Sequence, residues 1–165
     1  MSSVLQIQGC YCKIKKTKGG AAVELVVKTF EQLNTRELYE ILRVRAAVFV
    51  VEQDCAYQDV DGIDLRAVHA FLQNEGGIRA YLRLFEKDEH TAQMGRMLTV
   101  ERGTGLGGRL LKEGIRIARD VLKKDALYIE AQCYAVGFYT REGFKVTSEE
   151  FLEDGIPHVQ MMLEF

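Results

Sequence analysis

The chain has 165 residues, enough for one domain whose core buries roughly two-thirds of the surface an unfolded chain exposes. Hydrophobic residues make up 47%, charged residues 28%, and the net charge is −2, a balance with no field drawing the molecule to nucleic acid or a membrane. No stretch nears the ~20 apolar residues of a membrane helix, and the first residues lack the pattern of a signal peptide, so a cytoplasmic location is expected.

Residues 4–16 alternate loosely, and with Lys18-Gly19-Gly20 as a turn and residues 23–30 as a second apolar run they suggest an N-terminal edge hairpin or extension over residues 1–22. Cys10 and Cys12 read as alternating strand positions rather than a metal pair, and no metal or disulfide is expected. Asn34 followed by Glu37 is a capping-box helix start, and Leu38, Ile41, Leu42, Val44, Arg45 and Val48 continue it as an amphipathic helix over 35–49. Residues 53–65 form an acidic loop. Residues 67–73 and 78–86 read as strands joined by a turn at Asn74-Glu75-Gly76-Gly77, and 93–100 as the next strand. Helical spacing returns over 105–124, then a strand over 126–133, a short helix over 136–142 ending at Gly143, and strands over 144–151 and 158–165 around Asp154-Gly155. One proline, no repeat and no low-complexity segment leave a single α+β domain over 1–165.

The most informative stretch is Arg102-Gly103-Thr104-Gly105-Leu106-Gly107-Gly108, between a strand and a long helix. Free N–H groups and the positive dipole end at a helix start bind phosphate, and glycines let the backbone approach it. Two cofactors compete. Gly103-x-Gly105-x-x-Gly108 with Glu130 further on fits a dinucleotide fingerprint. However, the motif begins after residue 100, leaving too little chain for a full dinucleotide fold, and Glu101-Arg102 stands where strand residues are normally found.

Arg102-x-x-Gly105-x-Gly107, then Leu127–Cys133 as a strand and Phe138-Tyr139-Thr140-Arg141-Glu142-Gly143-Phe144 as a short helix ending in Gly-Phe, resembles the GNAT acetyltransferase superfamily. Leu38–Arg45, Val48-Phe49-Val50-Val51-Glu52-Gln53, Tyr57-Gln58-Asp59-Val60-Asp61-Gly62 and Asp154-Gly155-Ile156-Pro157-His158 are similar to its ElaA-type branch, over about residues 24–165. Two features depart from the pattern: only Glu101 separates Val100 from Arg102, and Cys133-Tyr134 replaces an Ala-His pair.

The resemblance implies a mixed sheet, splayed at the CoA site with helices on both faces, and direct attack of a primary amine on the thioester of acetyl-CoA. It implies cofactor contacts at Leu98, Thr99, Val100, Arg102, Gly103, Thr104, Gly105, Leu106, Gly107, Gly108 and Tyr139, with a backbone N–H of the strand as oxyanion donor. Tyr139 matches the general acid, since a phenol near pKa 10 can protonate a departing thiolate. The base is open among Glu52, Asp59, Asp61, Asp64, His69 and His158, with Glu52 and His158 placed in the catalytic set and Glu52, Gln53, Asp59, Asp61 and His69 in the amine-binding set. His69, between apolar neighbours, also reads as a buried structural histidine. Arg109 is a candidate for a CoA phosphate contact, and the other bases of that helix read as a solvated face. The acceptor is a small-molecule amine or a protein or peptide amine, and a homodimer is left open. Two other readings remain: a module that binds acyl-CoA without turnover, and a dinucleotide-binding oxidoreductase fragment.

Overall fold

The computed structural model describes residues 22–165. The expected N-terminal hairpin, with Cys10 and Cys12, lies outside the described residues. Strands β1 (Glu24–Thr29), β2 (Val68–Asn74), β3 (Gly77–Glu86), β4 (Thr91–Thr99), β5 (Ala126–Gln132), β6 (Lys145–Val146), β7 (Phe151–Glu153) and β8 (Ile156–Glu164) form one sheet. Its order is β1-β2-β3-β4-β5-β8-β6, with β7 also on β8. Among these strands only β4 and β5 run parallel, joined by the crossover helix α2 (Leu106–Arg116). A single parallel pair in an antiparallel sheet is not a doubly wound dinucleotide fold, so the structure corrects that alternative.

Helix α1 (Thr35–Arg45) starts as its capping box requires: the Asn34 side chain accepts from Glu37 N–H at 2.9 Å, and the Glu37 carboxylate accepts from Asn34 N–H at 3.0 Å. It does not stop at residue 49. The chain winds on through wider π-type turns over Ala46–Glu52. Likewise α2 widens over Ile117–Val121. The short helix α3 is Val136–Thr140.

The β2–β3 turn is local chemistry: Asn74 Oδ1 accepts from Gly76 N–H at 2.9 Å, and Gly77 takes φ +101°. The strand expected over 144–151 is broken into β6 and β7. Ser148 Oγ takes the Gln160 N–H at 2.9 Å, where a strand partner would supply a carbonyl, and the backbone leaves the ladder.

The alternation of β2 to β5 sorts side chains to two faces. Leu72, Leu82, Leu84 and Met94 pack with Leu110, Leu111 and Ile117 of the α2 layer, which Phe138 and Tyr139 of α3 also join. On the other face Phe71, Tyr81 and Leu98 pack with Ile41 and Val44 of α1. The helices thus cover both faces. Among the described residues no helix is long and apolar enough to cross a membrane.

Candidate active site

The site exists because β4 is not straight. Tyr81 faces Leu98 and Arg83 faces Gly95, so β4 carries one residue more than β3 across this interval. That extra residue makes a bulge, and Arg96 sits in it at φ +54°. A non-glycine residue in this left-handed region costs of order 1 kcal/mol. The bulge bends β4, and its pairing with β5 ends at Gln93–Tyr128. From Met94 onward the two parallel strands diverge. Val100 N–H donates to Arg79 O at 2.9 Å. Strand alternation therefore turns the Thr99 N–H the opposite way, into the gap. Val100, whose N–H is taken, cannot donate to a ligand there, and Leu98 packs its side chain into the core.

The glycine loop leaves the end of β4. Gly103 and Gly105 adopt φ +75° and +77°, with open space where a Cβ would stand. Thr104 Oγ1 donates to Glu101 O at 3.1 Å and closes the turn. Gly105 caps α2 without a side-chain acceptor, so the first amides of the helix, at Leu106, Gly107 and Gly108, point outward unblocked. At Gly107 a Cβ would meet Thr99 Cγ2 at 3.3 Å, so this glycine lets the helix start lie against β4. Arg102 forms an ion pair with Glu52, bringing a predicted phosphate ligand and a predicted base onto each other. Both are solvent-exposed (75% and 49%), so the pair is weak and exchangeable. The Arg109 guanidinium donates to Val23 O at 3.1 Å.

A cleft of about 740 Å³ fills the splay between β4 and β5. Thr99, Arg102 and Gly107 line one part, and Gln53, Asp61 and His158 another, with Tyr139 on its wall. The Tyr139 hydroxyl lies 3.8 Å from Met97 Sδ, and burial raises its pKa, so it stays a phenol with its proton. His158 is buried beside Phe151, and its Nδ1 is 2.7 Å from Ile156 O. A carbonyl only accepts, so Nδ1 carries the hydrogen and a neutral ring keeps its lone pair on Nε2. Glu153 lies 3.7 Å from that nitrogen. Gln53 accepts from Gln132 across the cleft at 3.2 Å.

The acidic loop is not a free anionic surface. Asp59, Asp61 and Asp64 meet Arg45 from α1, Arg83 from β3 and Arg96 from the bulge. Arg45 is fully buried, donating to Asp59 Oδ2 at 2.9 Å and Asp64 Oδ1 at 2.7 Å. Arg83 donates to both Asp61 oxygens, at 2.8 and 2.5 Å. Burial raises the Asp61 pKa, but Arg83 overcomes that and holds it at about 2. His69 has no exposed surface, with Nδ1 2.8 Å from the Tyr81 hydroxyl and Nε2 3.0 Å from Asp64 O. The expected amine contact at His69 is thereby corrected: an enclosed ring with both nitrogens engaged supports the arginine cluster. The three arginines are candidate site residues that sequence reasoning missed. They lie far apart in the chain, and no local pattern marks them.

A mixed sheet parted at a bulged strand, with a glycine loop closing one end of the gap, is the acyl-CoA N-acyltransferase fold. The chain belongs to the acetyltransferase (GNAT) domain family, which matches residues 27–165. Within it the chain is of the ElaA type. It is 34% identical to Escherichia coli protein ElaA over 139 residues, 81% of this chain and 91% of that one. The ElaA crystal structure superposes with a TM-score of 0.81 at 32% identity, covering 86% of this chain and 99% of that one. An acyl-CoA N-acyltransferase from Pseudomonas aeruginosa gives 0.79 at 36% identity, covering 84% and 97%. A UPF0039 protein of Schizosaccharomyces pombe is 40% identical over 146 residues, 86% of this chain and 97% of that protein.

Proposed function

We propose that the protein transfers the acetyl group of acetyl-CoA to a primary amine by direct attack inside the cleft. One observation carries this reading: the Thr99 N–H turned into the β4–β5 gap, with the Tyr139 phenol on its wall and open helix amides at its end. These groups fit the thioester, the leaving sulfur and the pyrophosphate of acetyl-CoA in turn. A GNAT acetyltransferase from Elizabethkingia anophelis with acetyl-CoA bound shares the fold at a TM-score of 0.62.

In this reading the loop amides and Arg102, released from Glu52, hold the phosphates. The amine nitrogen forms its bond to the carbonyl carbon as the C–S bond breaks. Thr99 N–H donates to the oxygen where negative charge develops. His158 Nε2 takes the amine proton, and Tyr139 gives its own to the thiolate. The acceptor is an amine of a small molecule or an extended peptide.

The test is release of free CoA from acetyl-CoA across a panel of amines. Tyr139→Phe is expected to lower kcat on the order of 100-fold, with the cofactor still bound. An unchanged rate in that variant, or no CoA release with any amine, would sink the reading in favour of a binding module.

A further inference from the structure

We infer that Asp59 is a positioning residue that acts through Arg96 to hold the β4 bulge and thereby aim the Thr99 amide. Asp59 does not line the cleft. It is instead the hub behind it. Its Oδ1 accepts from Arg96 Nε at 2.7 Å and from the Tyr57 hydroxyl at 2.7 Å. Its Oδ2 accepts from Arg45 Nε at 2.9 Å. Its backbone carbonyl accepts from Arg45 Nη2 at 2.8 Å and Arg96 Nη2 at 3.2 Å. Every acceptor of the residue is thus used, and Arg96 is drawn down against the Tyr57 ring, 5.1 Å from its centre.

The consequence lies in the backbone of Arg96. A residue at φ +54° returns to the ordinary strand region unless something holds it. What holds it is its own guanidinium, fixed to Asp59 and, at 3.3 Å, to Asp61 Oδ2. Asp59 is in turn anchored by Arg45, which is fully buried at the end of α1. If Arg96 straightens, the extra residue of the bulge is lost. Every N–H beyond it then changes direction, Thr99 included, because a one-residue slip inverts the alternation. The ion pairs therefore set where the oxyanion donor points; Arg96 and Asp61 also line the cleft, whereas Asp59 acts from behind it.

The test compares Arg96→Ala with Arg96→Gly, with Asp59→Asn beside them. Alanine has no anchor and disfavours the left-handed region; glycine has no anchor but occupies that region freely. Arg96→Ala is expected to lower kcat about tenfold while KM for acetyl-CoA moves less than about twofold. Arg96→Gly retains several-fold more kcat than Arg96→Ala. A residue that only stabilised the sheet would shift the thermal midpoint in these variants and leave kcat of the folded protein unchanged. Asp59→Asn follows Arg96→Ala; should it fail to fold, the Arg96 pair still decides. Equal kcat in the alanine and glycine variants, or an alanine variant at the wild-type rate, overturns the inference.

The kinetic arm rests on the proposed acetyl transfer, so calorimetry supplies a second arm. The ratio of acetyl-CoA to CoA affinity falls in Arg96→Ala and is kept in Arg96→Gly, because the Thr99 amide meets the acetyl oxygen that CoA lacks. If no amine accepts acetyl even from the wild-type protein, the transfer reading fails on its own. This ratio then judges Asp59 and Arg96: a fall in alanine alone supports their role, and equal ratios reject it.

Discussion

At the scale of the residue, charge placement sets how stability depends on pH. The Asp61 carboxyl is held at about 2 by Arg83 against an ordinary value near 3.9. A depressed carboxyl pKa means that the fold favours the ionised form. Its contribution is complete above about pH 4 and is lost as pH falls toward 2. His69 behaves alike for a different reason: burial lowers its pKa, with Arg45 and Arg83 also disfavouring a third cation. The neutral ring stabilises the fold above its ordinary value near 6.5, and that contribution fades as pH falls below it. Thermal midpoints measured from pH 8 to pH 2 should therefore drop in two steps. Asp61→Asn should shrink the lower step and His69→Gln remove the upper one; a single step in the wild-type protein would contradict both assignments.

At the scale of the element, each end of α1 has a separate task. Its start is local: Asn34 and Glu37 satisfy each other's backbone N–H groups, and Lys28 pairs with Glu37 at 2.7 Å. Asn34→Ala should cost about 1 kcal/mol, read as a lower urea midpoint with an unchanged slope. Its far end delivers Arg45 to the aspartates, and the wider turns that follow bring Phe49 and Gln53 to the cleft. In such wide turns each hydrogen bond spans one residue more than in an α-helix, and they often sit at functional sites. The capping box was legible because it is a pattern of four neighbouring residues. The widening was not, since apolar spacing at Val44 and Val48 fits either winding. The break at Ser148 was hidden for a similar reason: its hydroxyl competes for an N–H on Gln160, a residue distant in the chain.

At the scale of the whole molecule, the splayed sheet ties stability to ligand. The glycine loop, β4 and α3 surround one cleft, so a ligand that binds only the folded chain stabilises all three together. Acetyl-CoA at 100 times its dissociation constant should raise stability by about 2.7 kcal/mol, visible as a higher thermal midpoint. NAD should produce no such rise. A shift with NAD and none with acetyl-CoA would reject the acyl-CoA site.

The sequence by itself determined the parts whose information is contiguous. The strand–glycine loop–helix order, the capping box, the Asn74 turn and Tyr139 beside Gly143-Phe144 could all be read in chain order, and they sufficed to indicate the family. Only the tertiary structure decided the rest. Nothing near Arg96 says that it bulges at positive φ, because glycine is the residue expected there. Nothing near Asp59, Asp61 and Asp64 says that they are neutralised, because their partners lie 14 to 37 residues away. An acidic run looks solvated until three arginines from three different elements converge on it. Local geometry follows from neighbouring residues, whereas the fate of a charge depends on what the fold brings to it.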